Sequence, residues 1–218
     1  MDNEQLSASA GWVIIGTTAI AALAMAHHPT VGSSGYPTLI DEVRSEALLN
    51  RGVHGVMITY VVLVWAMVCS RTGWVTPDGV GGRLTDTALA FATLTMVGAA
   101  LASGFFTPKM ADQLSVASES DLALFRDALK LSYAANQVLA EAGVLGYGAA
   151  IALSGLGFLL CRPMQPVMGL LGIAIGVWFA FGIFAGLLTL DVHGMGMTFG
   201  LMAIWFVTLG IAMIREKR

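Results

Sequence analysis

Charged side chains are scarce in this sequence, and they fall in clusters that leave long uncharged stretches between them. Only 11% of the 218 residues are Asp, Glu, Lys or Arg, against about 25% in a typical soluble domain. The formal net charge of −3 provides no basic surface and argues against a nucleic-acid role. Together with a hydrophobic content of 56%, this scarcity predicts a protein embedded in a membrane.

Several features that would define a chemistry are also missing. The two cysteines, Cys69 and Cys161, fall near the ends of apolar runs and indicate reduced packing residues, not a disulfide. The N-terminus lacks the basic residues of a secretory signal, so the first apolar run is expected to remain in the mature protein. There is no C-x-x-C-H, H-E-x-x-H, P-loop or G-x-S-x-G motif, so no familiar motif names the reaction.

Six apolar runs are each long enough to form a helix that crosses a hydrocarbon core of roughly 30 Å. They cover about 11–26, 53–69, 84–106, 134–160, 167–190 and 194–214. Apolar and polar residues do not alternate along these runs, which favours helices over a closed barrel. The sequence therefore predicts an all-α, polytopic integral membrane protein. It forms a single domain over residues 1–218, with six transmembrane helices in three hairpins.

The connections between these runs predict how the protein lies in the membrane. With a cytoplasmic N-terminus, six of the eleven Lys and Arg residues fall inside and five outside, a small excess in the direction of the positive-inside rule. We therefore expect the cell (inner) membrane, with both termini cytoplasmic. In the two long outer loops apolar residues recur at spacings of three and four. This pattern predicts short amphipathic helices over Asp41–Leu49 and Asp121–Leu129.

All four histidines fall in one layer of this topology. His27 and His28 end the first helix, whereas His54 and His193 begin the second and the sixth. The last two share a phrase, because Val-His-Gly is followed in both places by three residues, Thr and an aromatic ring. The phrase indicates either duplicated hairpins or a chance match in an apolar chain. Duplication would place His54, Asn136 and His193 around one axis.

Ionisable groups at membrane depth are the candidates for chemistry, because each costs about 2.5–3.5 kcal/mol inside a span and needs a partner. We assign Glu141 and Asp191 as candidate catalytic carboxylates and His54 and His193 as the residues that bind a cofactor. A metal ion would take His28, His54, His193 and Asp191 as ligands. The structural alternative is a carboxyl bonded to a neighbouring helix and histidines that only cap helix ends.

The predicted function is a membrane-embedded redox or metal-dependent enzyme that acts on a lipophilic molecule such as a quinone. Its cofactor would be haem or a transition metal, namely zinc, iron or copper. Thioethers favour copper among these metals, so Met195 and Met197 are candidate copper ligands. Two alternatives stay open: a proton- or cation-coupled transporter that uses Glu141 and the histidines, and an accessory subunit whose polar layer docks a partner. The sequence leaves open whether the chain associates with further copies or with other subunits.

Overall fold

The computed structural model describes residues 3–29, 36–71, 79–113, 119–161 and 166–215, and within these ranges every regular element is helical. The long helices are α1 (Asn3–Ala26), α3 (Ala47–Cys69), α4 (Val80–Leu101), α6 (Glu119–Cys161), α7 (Pro166–Phe184) and α8 (Val192–Arg215). Two short helices, α2 (Tyr36–Ser45) and α5 (Thr107–Gln113), flank them, and a π-helical turn, Ala102–Phe106, joins α4 to α5. Within the described ranges six helices are long and apolar enough to cross a membrane, which is the number of long apolar helices that the sequence predicts.

The long helices do not pack simply as three hairpins. α1 lies against α3, α3 against α4, α4 against α6 and α6 against α7, but α8 packs mainly along α1 and only slightly along α7. Two glycines explain the close approach of the first and last helices. A Cβ atom on Gly11 would lie 2.5 Å from the carbonyl oxygen of Gly210, so the two backbones can meet only because neither residue has a side chain.

Aromatic side chains connect α8 to the far side of the bundle. Phe206 packs edge-to-face on Tyr147 of α6 at 6.1 Å, and Trp205 packs in the same way on Phe158 at 6.2 Å. Gly172 of α7 makes room for the indole, because a Cβ atom there would lie 2.8 Å from a Trp205 ring carbon. In lipid such close packing, more than exclusion of water, holds helices together. α8 therefore contacts both α1 and the α6–α7 pair.

The fifth predicted span, 167–190, is longer than the helix that forms. α7 ends at Phe184, and Gly186 follows in the left-handed region with φ +67°. The backbone N–H groups of Leu187 and Leu188 both donate to the carbonyl oxygen of Gly182 at 2.8 Å, which closes the helix end. Beyond it the chain is not helical, and there Leu188 and Leu190 are buried whereas Leu187 is exposed.

The two helices predicted in the outer loops differ from the helices that form. Residues 41–49, predicted as one helix, belong to two: α2 ends at Ser45 and α3 begins at Ala47, with a turn at Glu46 between them. The second expected surface helix, Asp121–Leu129, is not separate, because it is the beginning of the 43-residue α6. No Gly or Pro interrupts residues 119–142, so nothing ends the helix there. A small apolar cluster joins α2, α5 and this part of α6: Ile40, Val43, Ala111 and Phe125.

Candidate functional site

A cavity of about 520 Å³ lies at the end of the bundle where α1 ends and α3 and α8 begin, which we call the histidine end. Its apolar wall includes Met25, Val43, Leu129 and Met195, while imidazole, amide, hydroxyl, carboxylate and ammonium groups form the rest. The volume falls within the roughly 300–1,000 Å³ of small-molecule sites. The cavity therefore suits a molecule with a polar end and an apolar body.

Two histidines, His28 and His54, line this cavity and contact each other. The rings of His28 and His54 meet edge-to-face, with centroids 5.0 Å apart and planes at 66°. Nδ1 of His54 lies 2.9 Å from the carbonyl oxygen of Asn50, and Nδ1 of His28 lies 2.9 Å from that of Pro29. A carbonyl oxygen only accepts, so Nδ1 carries the proton in both rings. The lone pair of each Nε2 is then available to a metal ion, a proton or a hydrogen-bond donor, as in histidines that ligate metals.

The π-helical turn positions His54. A Cβ atom on Gly104 would overlap the Cβ and Cγ atoms of His54 and would lie 2.9 Å from its Nδ1. The carbonyl oxygen of Ala102 accepts the backbone N–H of Thr107 within this turn, and it also accepts from the hydroxyls of Thr107 at 3.1 Å and Ser132 at 3.2 Å. Single π turns within α-helices are frequent at functional sites. Gly104 is a site residue that sequence reasoning missed, since one glycine among twenty-six carried no distinguishing signal.

Two amide side chains of α6 close the opposite wall of the cavity. Asn136 Nδ2 donates to the carbonyl oxygen of Ala99 at 2.8 Å, and Gln137 Nε2 donates to that of Leu190 at 3.2 Å. These bonds tie α6 to α4 and to the segment before α8. Asn136 and His54 therefore share the cavity, and one of the two N–H groups of the Asn136 amide is used in the bond to Ala99 that joins the helices.

Asp191 lines the cavity and also caps α8. Its Oδ1 accepts from the backbone N–H of Gly194 at 2.8 Å, and its Oδ2 accepts from the Thr189 hydroxyl at 3.4 Å. The Gly194 hydrogen bond is the main reason that the pKa of Asp191 lies below its ordinary value of 3.8, so the carboxylate is ionised at neutral pH. A Cβ atom on Gly194 would overlap the Thr189 carbonyl. The absence of a side chain at Gly194 therefore lets the chain before α8 pack against the first turn of the helix.

The structure does not bring all of the predicted ligands together. His28, His54 and Asp191 line one cavity, whereas His193 and Glu141 are exposed on the surface of the bundle and are not part of its wall. The expected axis through His54, Asn136 and His193 therefore lacks its third member. Met195 lines the cavity, and Met197 is exposed. Within the part of the chain that the structure describes, no group of three or more His, Cys, Asp and Glu side chains is placed to hold a metal ion.

His27 gives a useful contrast to His28. Its side chain is exposed, and its Nδ1 lies 2.8 Å from the carbonyl oxygen of Leu23 in its own helix. The two neighbours diverge because Pro29 ends the helix, which leaves His28 beyond the last turn of α1. Of the two, only His28 lines the cavity.

Comparison with known proteins gives no family for this chain. No family model matches it, and neither a curated protein nor a solved structure matches it either. The geometry of the cavity is therefore the basis on which a function can be argued.

Proposed function

We propose that this chain is an integral membrane protein that binds a transition-metal ion between His28 and His54 and acts with it on a lipophilic molecule in the cavity. The observation that carries the proposal is the contact of these two rings, with centroids 5.0 Å apart, inside a cavity of about 520 Å³. Both Nδ1 atoms are bonded to backbone carbonyls, so both Nε2 atoms are free to ligate.

The geometry favours an ion over haem. A haem held between two histidines needs its flat ring between theirs, and the rings of His28 and His54 are in contact. The second axial ligand first expected, His193, is exposed outside the cavity. Two imidazoles leave further coordination positions open to water or substrate, as a catalytic site requires. The wall also contains the carboxylates of Glu46 and Asp191 and the thioethers of Met25 and Met195, and thioethers with imidazole suit copper.

The proposed substrate is a small lipophilic molecule with a polar end, of which a quinone is an example. The apolar side chains of the wall suit its body, and the amide and hydroxyl groups of the wall suit oxygens that accept hydrogen bonds. We place the protein in the cell membrane with both termini cytoplasmic, on the excess of basic residues in the inner segments. The cavity then faces outward, and its substrate enters from the outer leaflet.

Metal content per chain tests this proposal. The protein is purified without chelators, and metals are measured by elemental analysis beside an absorption spectrum and the folded yield. His28→Ala and His54→Ala should each lower the metal content at least tenfold, because each removes half of the imidazole ligation. His27→Ala is the matched control, since its ring bonds its own helix outside the cavity, and it should keep the wild-type content.

The other outcomes are equally informative. Wild-type protein without metal contradicts the proposal, and a Soret band would show haem in place of an ion. If His193→Ala removes the metal while His28→Ala does not, the pair that the sequence predicts for the cofactor, His54 and His193, holds the metal instead. Glu141→Gln should leave the metal bound, because Glu141 lies away from the cavity wall.

A further inference from the structure

Five of the six long helices contribute buried hydroxyl groups to the middle of the bundle. Each of these side chains is at most 2% exposed, and we call them the hydroxyl cluster: Thr18, Tyr60, Thr93, Tyr147 and Thr198. The rise of 1.5 Å per residue places Tyr60 about 9 Å beyond His54 along α3. The cluster therefore lies deeper in the bundle than the cavity.

Two hydroxyls of the cluster lack the partners that the others have. Tyr147 Oη and Thr93 Oγ1 are 3.3 Å apart, and Thr18 Oγ1 donates to the carbonyl oxygen of Ile14 at 2.7 Å. Tyr60 Oη and Thr198 Oγ1 are buried and have no hydrogen-bond partner among the residues that the structure describes. The described residues therefore give neither hydroxyl a hydrogen bond of ordinary length and angle.

The two unpaired hydroxyls lie at the same junction of helices. The ring of Tyr60 packs on Phe199, the residue after Thr198, with ring centroids 5.5 Å apart. The Tyr60 phenol also has the hydroxyls of Thr18 and Tyr147 as neighbours. α1 lies against both α3 and α8, so Thr18, Tyr60 and Thr198 come from three helices that meet.

We propose that at least one water molecule is bound at this junction, between Tyr60 Oη and Thr198 Oγ1. A buried hydroxyl without a partner is costly, and surrounding lipid cannot supply one. Water is the ligand that fits, because buried waters take two to four polar partners and the hydroxyl cluster contains no charged group to hold an ion. The site does not depend on the proposed metal, and it extends the polar interior from the cavity towards the middle of the bundle.

The sign of a stability change tests the bound water. Thr198→Val keeps the shape of the side chain and removes its hydroxyl. If water is bound, the variant removes the hydrogen bond between that water and Thr198 and weakens the binding of the water to Tyr60, so the thermal midpoint in detergent falls. If no water is bound, the variant removes an unpaired hydroxyl, and the midpoint rises. Thr198→Ser should stay near wild type. Thr208→Val is the matched control on α8, because that hydroxyl bonds the Ile204 carbonyl of its own helix.

A second measurement addresses the water itself. Radiolysis of bound water produces hydroxyl radicals in place, so buried Tyr60 should be labelled well above equally buried Phe158. Labelling of Tyr60 should fall severalfold in Thr198→Val. Tyr60→Phe and Thr198→Val combined should cost less than the sum of the two single changes, because they share one water. A raised midpoint in Thr198→Val, or labelling of Tyr60 at the level of Phe158, overturns the proposal.

Discussion

At the scale of single residues, two glycines near His54 differ in whether a side chain would fit: Gly55 follows it in the sequence, and Gly104 lies against its ring in space. Gly104 faces the imidazole so closely that a Cβ atom would overlap it, whereas nothing lies within 4 Å of a Cβ atom built on Gly55. Adjacency in the sequence therefore says little about which glycine makes room for the ring. The neighbour that matters is 50 positions further along the chain, in the π-helical turn.

Gly104→Ala should lower the free energy of unfolding by about 1–3 kcal/mol, because the new methyl group overpacks the site, and it should displace His54. Gly55→Ala is the control, and it should be neutral or gain about 0.5–1 kcal/mol from its helical position. Denaturant unfolding in detergent measures both. A Gly104→Ala variant as stable as Gly55→Ala would show that the His54 ring does not lie against this turn.

The carboxylate of Asp191 predicts a pH dependence at the start of α8. Its pKa is lowered in the folded state by the hydrogen bond from Gly194 N–H. A lowered pKa means that the stabilisation is complete above the ordinary value of 3.8 and is lost as the pH falls below it, through the folded pKa. Asp191→Ala should lower the thermal midpoint at pH 7 and narrow its gap to wild type near pH 3. Midpoints that differ equally at both pH values would contradict this cap.

At the scale of helices, α8 contacts α1 more extensively than it contacts α7, its partner in the third hairpin that the sequence predicts. Gly11→Ala would place a methyl group 2.5 Å from the carbonyl oxygen of Gly210 and force the two helices apart. We expect a loss of about 1–3 kcal/mol in the free energy of unfolding, measured by denaturant titration in mixed micelles. Gly16→Ala, on the same helix with nothing within 4 Å, should cost nothing. Equal stability of the two variants would count against this crossing.

At the scale of the whole molecule, insertion of all six long helices in a membrane would place the ends of α2 and α5 on one face and Ser70, at the end of α3, on the other. In a background without Cys69 and Cys161, an impermeant maleimide should label Ser45→Cys and Gln113→Cys in intact cells. Ser70→Cys should react only after the membrane is opened. Labels at 45 and 113 on opposite faces would contradict the even number of spans. The reverse pattern at all three positions would change only the orientation.

The sequence by itself determined the number and type of the long apolar elements. Runs of about 20 apolar residues in lipid must form helices, because each backbone group has to find its partner within the helix. Counting helices also placed His28 and His54 at the same end of the bundle, and the structure puts them in one cavity. Depth along a helix is fixed by a constant rise per residue, so the sequence suffices to assign it.

The direction in which each side chain points was decided only by the tertiary structure. His193 and Glu141 have the depth predicted for a site, yet both are exposed, while Gly104 reaches His54 from a different helix. Which face of a helix turns inward depends on the neighbours against which it packs, and here a glycine contact sets α8 against α1. Local pattern specifies how far along its helix a residue lies; close packing between distant segments specifies which residues meet.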